Sequence, residues 1–285
     1  MRVVIGVDWS DQAFAAVTQT FQLYHPTDVT LVHGVELGIL KHPFVAQASN
    51  VQGYDDFRNA MVDSGNQLLE RAAAMVPAEV GSIRKVNEIG NPAQLILDTA
   101  ENLSADLIVV GVRGRSRLSE VVLGSVSHRV LLHTSRPTLI VRGAARKVQR
   151  VLVAIEDRDD ADRIAKWLTH HPFADPTKVC VLHALVPIGI SDPYDAMGTG
   201  TWWEGAERYA DELVQSTAGK LLNPRNTVST NVATGDPAAV IEQEAKSRDL
   251  VVVTSHGRKG LSRFLLGSVS HAVVHHVTCP VLVLR

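Results

Sequence analysis

Glycine and serine recur in this chain where they could hold a phosphate. The stretch GVRGRSRLSEVVLGS carries Gly111, Gly114, Gly124 and Ser125 between a run of apolar residues and a helical pattern. Glycines in such a loop allow left-handed turns and let backbone amides approach a ligand closely. Gly124-Ser125 opens the helical pattern, where unpaired N–H groups and the positive end of the dipole favour an anion. Ser125 is placed either to cap that helix or to give its hydroxyl to a phosphate oxygen. Arg113, Arg115 and Arg117 add positive charge, as a solvated surface loop also would. Upstream, Asp8 and Ser10 end the first apolar run, and Gly34 follows the second.

Turnover chemistry is not signalled. No Gly-x-Ser-x-Gly marks a serine nucleophile, and the Gly-x4-Gly-Lys-Ser/Thr loop of P-loop NTPases is missing. The SGGxDS-type loop and the HIGH motif of ATP-activating α/β enzymes are absent too, and DWSDQ after the first apolar run offers no glycines to a pyrophosphate. No catalytic residue is assigned. His128 and His271 repeat within LGSVSH, with His275-His276 nearby. Neighbouring histidines point to different sides of a helix and no Cys or carboxylate follows at ligand spacing, so they read as helix surface or packing and no metal ligand is assigned. Trp202-Trp203 offers a partner patch, against which the plainer reading places one ring in the core, and Cys180, within an apolar run, reads as an inert buried thiol.

The elements that must position these residues come twice. Leu107–Arg142 and Leu250–Arg285 align without a gap, identical at 18 of 36 positions. RVVIGVDWSDQA matches RVLVAIEDRDDA, VTLVHG matches VCVLHA, and GNPAQLI matches GDPAAVI, in the same order. This is a tandem duplication of a ~140-residue unit, a normal domain size. The boundary falls in the polar GAARKVQ stretch, giving domains over 1–143 and 149–285. Apolar runs predict strands at Val3–Val7, Val29–His33, Ile83–Asn87, Leu107–Val110 and Thr138–Val141, with helical patterns at Gln12–Tyr24, Tyr54–Met75, Pro92–Leu103 and Ser125–His133. The second half repeats the strands at Val151–Ile155, Val179–His183, Thr227–Val232, Leu250–Val253 and Val281–Leu284. Asn91-Pro92 and Asp236-Pro237 read as an N-cap followed by proline at the first helical position. Strands alternating with helices make a doubly wound parallel sheet, so the fold class is α/β, five strands in each of two tandem domains. In such a sheet the ligand lies beyond the carboxyl ends of the strands, where strand order reverses.

Composition excludes several functions. Among 285 residues, 28 Lys+Arg stand against 30 Asp+Glu for a net charge of −2, with 45% hydrophobic and 5% aromatic residues. That balance provides no basic footprint for nucleic acid or an anionic membrane, and few rings for base stacking. Two cysteines without a C-x-x-C pairing suit a reducing compartment, and neither a signal-peptide core nor an 18-residue apolar span is present. The expectation is a cytoplasmic protein.

Gly-x2-Gly-x9-Gly-Ser after a fourth strand, with an aspartate after the first, resembles the ATP-binding branch of the universal stress protein family, as two fused copies over nearly the whole chain. The resemblance implies an adenine-nucleotide alpha hydrolase-like fold and ATP, with Mg²⁺, as ligand. It implies that Asp8 holds the ribose, with Ser10 beside it, and that the backbone at Gly34 reads the adenine edge. Gly111, Arg113, Gly114, Gly124, Ser125 and Val126 would wrap ribose and phosphates. Members with this loop resemble ATP stores or sensors more than fast hydrolases. The same likeness implies that the two halves pair through their terminal strands as an internal pseudo-dimer, with a homodimer as a further assembly.

The second half departs from the pattern within the site. Its matching positions are Glu156, Ala184, Thr254, His256, Gly257, Gly267, Ser268 and Val269. Glu156 is one methylene longer than Asp8, with Asp157 adjacent as a substitute and Arg158 in place of Ser10. Thr254 replaces Gly111, and its Cβ and methyl would meet the ribose or the loop backbone. The first site is therefore expected intact and the second degenerate. A nucleotide-free interaction scaffold and a weak Mg²⁺-dependent ATPase remain the alternatives.

Overall fold

The computed structural model describes residues 1–36, 54–112, 123–187, 199–255 and 266–285. The chain divides into two compact units, one mainly within Met1–Ala145 and the other mainly within Arg146–Arg285.

In the first unit the described elements are β1 (Arg2–Gly6), α1 (Asp11–Leu23), β2 (Asp28–Val35), α2 (Tyr54–Ala73), β3 (Ser82–Ile89), α3 (Pro92–Asn102), β4 (Leu107–Gly111), α4 (Ser125–His133) and β5 (Thr138–Val141). The strands lie in the order β3-β2-β1-β4-β5. All four pairings are parallel. The second unit repeats this with β6 (Arg150–Ala154), α5 (Arg158–His170), β7 (Thr177–Leu185), α6 (Thr199–Leu221), β8 (Asn226–Thr234), α7 (Pro237–Ala245), β9 (Leu250–Thr254), α8 (Ser268–His276) and β10 (Val281–Leu284). Its order is β8-β7-β6-β9-β10, again parallel. The expected five-stranded α/β units are present in both halves.

The burial pattern explains which runs read clearly. Leu107–Val110 and Leu250–Val253 are buried throughout because helices cover both faces of a central parallel strand. β3 carries exposed Arg84 and Lys85 at the sheet edge, where charges discourage pairing with another chain. Asn91 and Asp236 cap α3 and α7 as expected: their side-chain oxygens accept from the amides of Gln94 (3.1 Å) and Ala239 (2.9 Å).

Each unit pins its two switch strands at the end opposite the site. Asp106 accepts from the Arg2 amide at 2.7 Å. Asp249 accepts from the Arg150 amide at 2.8 Å, the Gln149 amide at 3.1 Å and the Arg150 guanidinium at 3.1 Å. These contacts hold β1 against β4 and β6 against β9, so the opposite strand ends arrive in fixed register. Among the described residues no helix is long and apolar enough to cross a membrane.

Candidate functional site

The first unit opens a cavity of about 510 Å³ at the carboxyl ends of β1, β2 and β4. Strand order reverses between β1 and β4, where a crevice forms because the flanking helices leave on opposite faces. Asp8, Ser10, Gly34, Gly111, Gly124, Ser125 and Val126 all line this cavity. Arg113 and Gly114 lie outside the described residues.

Local chemistry sets each side chain. Asp8 accepts from the Ser10 amide at 2.9 Å and from the Ser10 hydroxyl. Ser10 Oγ in turn accepts from the Ala13 amide at 3.2 Å, which caps α1. Asp8 is thus oriented by the start of the helix that follows it. Gly111 is required by close packing: a Cβ there would lie 2.5 Å from the Gln12 carbonyl oxygen and 3.0 Å from the Ala13 nitrogen. Gly34 is constrained likewise, since a Cβ would lie 2.6 Å from Pro92 Cα.

Gly124 is the N-cap of α4, extended at φ −63°, ψ 152°, and offers no side-chain cap. Ser125 is therefore the first helical residue, not a capping one, and its side chain is exposed. The first-turn amides of α4 face the cavity without a side-chain acceptor of that cap, an arrangement suited to an anion. Ser127 Oγ donates to the Gly111 carbonyl at 2.7 Å and ties this helix start to the end of β4.

The second unit forms a cavity of about 730 Å³ at the equivalent strand ends. Glu156, Ala184, Thr254, Gly267, Ser268 and Val269 line it, while His256 and Gly257 lie outside the described residues. The chemistry differs at its base. Thr254 donates from Oγ1 to Asp160 Oδ1 at 2.5 Å, and the Glu156 amide donates to Asp160 Oδ2 at 3.1 Å. Burial pushes the Asp160 carboxyl up from its ordinary value, with the Thr254 and Glu156 bonds pulling it the other way. Asp157 does not substitute for Asp8: its carboxylate caps α5, accepting from the Asp160 amide at 3.0 Å. A strand-end aspartate followed by a helix is as good a cap as a ligand, and here the cap wins.

Two further features were missed or misread in the sequence. His33 and His183 each line their cavity and donate from Nδ1 to the carbonyls of Val7 (2.8 Å) and Ile155 (3.0 Å). A carbonyl only accepts, so Nδ1 carries the proton in both. The signal was the shared histidine of VTLVHG and VCVLHA. Neither ring of Trp202-Trp203 is a core ring: Trp202 is 54% exposed and lines the second cavity, and Trp203 donates to Glu207 Oε1 at 2.7 Å. Cys180 is buried in β7 as expected.

Comparison with known proteins places this geometry. The sequence pattern of the universal stress protein family matches residues 1–142 and again residues 147–285. A universal stress protein of Mycolicibacterium smegmatis is 29% identical over 295 residues, covering 99% of this chain and 96% of its own. One from Mycobacterium tuberculosis is 27% identical over 301 residues, with the same coverage of both chains. The crystal structure of a universal stress protein from Archaeoglobus fulgidus superposes with a TM-score of 0.62 at 19% identity, covering 100% of this chain and 96% of that one, a likeness of fold. Since both halves carry the pattern and relatives align end to end, the chain belongs to the universal stress protein family.

Proposed function

We propose that the first unit binds an adenine nucleotide, ATP with Mg²⁺, and that binding serves a regulatory role in stress response rather than turnover. The observation that carries this reading is the joint placement of Gly111 and the α4 N-terminus on one cavity with Asp8. The bare backbone at Gly111 lets the end of β4 lie against the first turn of α1 beside Asp8, and the uncapped amides of α4 suit phosphate oxygens. Asp8 would hold ribose hydroxyls, the Gly34 backbone the adenine edge, and the α4 amides with Ser125 the phosphates. A bound Mg²⁺ would supply neutralising charge at the phosphates. A volume of about 510 Å³ lies within the ~300–1,000 Å³ of small-molecule sites.

Calorimetric titration of nucleotide-stripped protein with MgATP tests this. One tight class of site per chain is expected, removed by Gly124→Val, which places a branched side chain at the mouth of the α4 amides. Absence of binding by the unaltered protein, or unchanged affinity in the variant, would return the fold to the scaffold reading.

A further inference from the structure

The second cavity is lined differently from the first. Alignment of the buried positions of α2 with those of α6 sets Ser64 opposite Tyr209 and Phe57 opposite Trp202, while the VTLVHG and VCVLHA match sets Glu36 opposite Val186. Where the first cavity has Glu36 and Ser64 beside Trp9, the second therefore has Val186 and Tyr209 beside Trp202. Ile155, Leu185 and Ile241 extend that wall. Val186 and Trp202 are 59% and 54% exposed, large apolar surface left open to a cavity.

The polar end is equally altered. Two carboxylates line each cavity, but Asp8 and Glu36 follow the ends of two different strands, β1 and β2, whereas Glu156 and Asp160 both stand beside the end of β6, Asp160 matching Gln12 of the first unit. The α8 N-terminus faces the same space and offers about half a positive charge. Glu156 and Asp160 oppose it, and Asp160 is already engaged by Thr254 and the Glu156 amide. A triphosphate would meet two carboxylates beside the end of β6, where Asp8 alone lines the first cavity beside the end of β1.

Gly205 gives the third observation. It lies within α6, where glycine is less favourable than alanine. A Cβ there would meet nothing within 4 Å, so no packing contact explains the glycine, and it lines the cavity.

We propose that the cavity of the second unit binds a neutral aromatic molecule of roughly nucleoside size, without phosphate groups, gripped between the Trp202–Tyr209 face of α6 and the apolar ends of β6 and β7. A volume of about 730 Å³ accommodates such a ligand, and aromatic walls with few polar groups are the usual lining of such sites. This goes beyond the nucleotide site of the first unit and does not depend on it.

The probe is N-phenyl-1-naphthylamine, a neutral naphthyl dye that brightens in apolar surroundings, titrated into the full chain. One site per chain is expected, retained in saturating MgATP and in Gly124→Val. Gly205→Phe, which fills open space and improves a helix position, should weaken binding at least tenfold. Val186→Asp, at an exposed position with little folding risk, should do the same. The anionic analogue 1-anilinonaphthalene-8-sulfonate should bind at least tenfold more weakly than the neutral dye. Dye binding unaffected by both variants would overturn the proposal, as would stoichiometric displacement by ATP in Gly124→Val. Equal affinity for the anionic dye would overturn the charge argument. Because Gly124→Val disables only the first site, failure of the nucleotide reading and failure of this one give different results.

Discussion

Asp8 with Gln12 in the first unit, and Glu156 with Asp160 in the second, show how one scaffold carries two different sets of polar side chains after its first strand. The strand order, helix starts and cavity position are the same, as are the histidines on the Val7 and Ile155 carbonyls. The difference lies in what replaces bare backbone. At Gly111 the strand end approaches the first turn of α1 so closely that a Cβ would strike Gln12. At Thr254 the same strand end carries a side chain, whose hydroxyl is bonded to Asp160 in the first turn of α5. Thr254 is therefore tied to α5. A buried carboxylate, Asp160, stands here where the first unit has Gln12.

The largest effect should come from giving the first unit a side chain at this position. Gly111→Val would set its Cβ 2.5 Å from the Gln12 carbonyl oxygen, and backbone cannot rotate aside as a side chain can. MgATP binding to the first unit should be lost, and overpacking should cost about 1–3 kcal/mol of stability in denaturant unfolding. Wild-type affinity in this variant would show that the two strand ends are interchangeable.

Making the second unit resemble the first is expected to fail for a single change. Thr254→Gly removes one of two described hydrogen bonds to the Asp160 carboxylate, a loss of about 1–3 kcal/mol for a buried charged acceptor. It should destabilise the unit without creating an ATP site. Adding Asp160→Gln, which copies Gln12, should recover stability. A single Thr254→Gly variant that binds ATP tightly would leave steric hindrance as the whole difference.

The smallest effect sharpens the comparison through pH. Burial alone would raise the Asp249 carboxyl, but the Arg150 side chain and the amides of Arg150 and Gln149 outweigh it and hold Asp249 below its ordinary 3.8. Its folded value is lowered, so its stabilisation is present above 3.8 and lost as pH falls through the lower folded value. Asp160 has the opposite sign: its folded value is raised, so its contribution is present below 3.8 and lost as pH rises through the folded value. Asp249→Asn should lose about 1 kcal/mol at neutral pH, the half-exposed Arg150 pairing adding little to the backbone bonds. Unfolding curves of variant and wild type should converge in acid. A constant gap at all pH values would remove Asp249 from the titration.

Much of the fold is legible along the chain because it is local or repeated. β5, α4 and β10 fall where their apolar runs and helical periodicity put them, and Pro92 and Pro237 announce helix starts through the missing N–H of proline. The duplication made each such reading twice over. Gly111, Gly124 and Asp8 could be assembled into one site because a doubly wound sheet brings its strand ends together whatever the loops contain. Pairings between distant side chains left no such trace. Thr254 and Asp160 are 94 residues apart and Arg150 and Asp249 are 99 apart, and neither spacing has a period. Asp157 could be ligand or cap until the helix start was placed, because both roles ask for the same carboxylate after a strand. Trp202, with a neighbouring tryptophan beside it, shows the same limit. Residue type makes a ring apolar, but only the packing of α6 against β7 decides that this ring borders a cavity instead of the core.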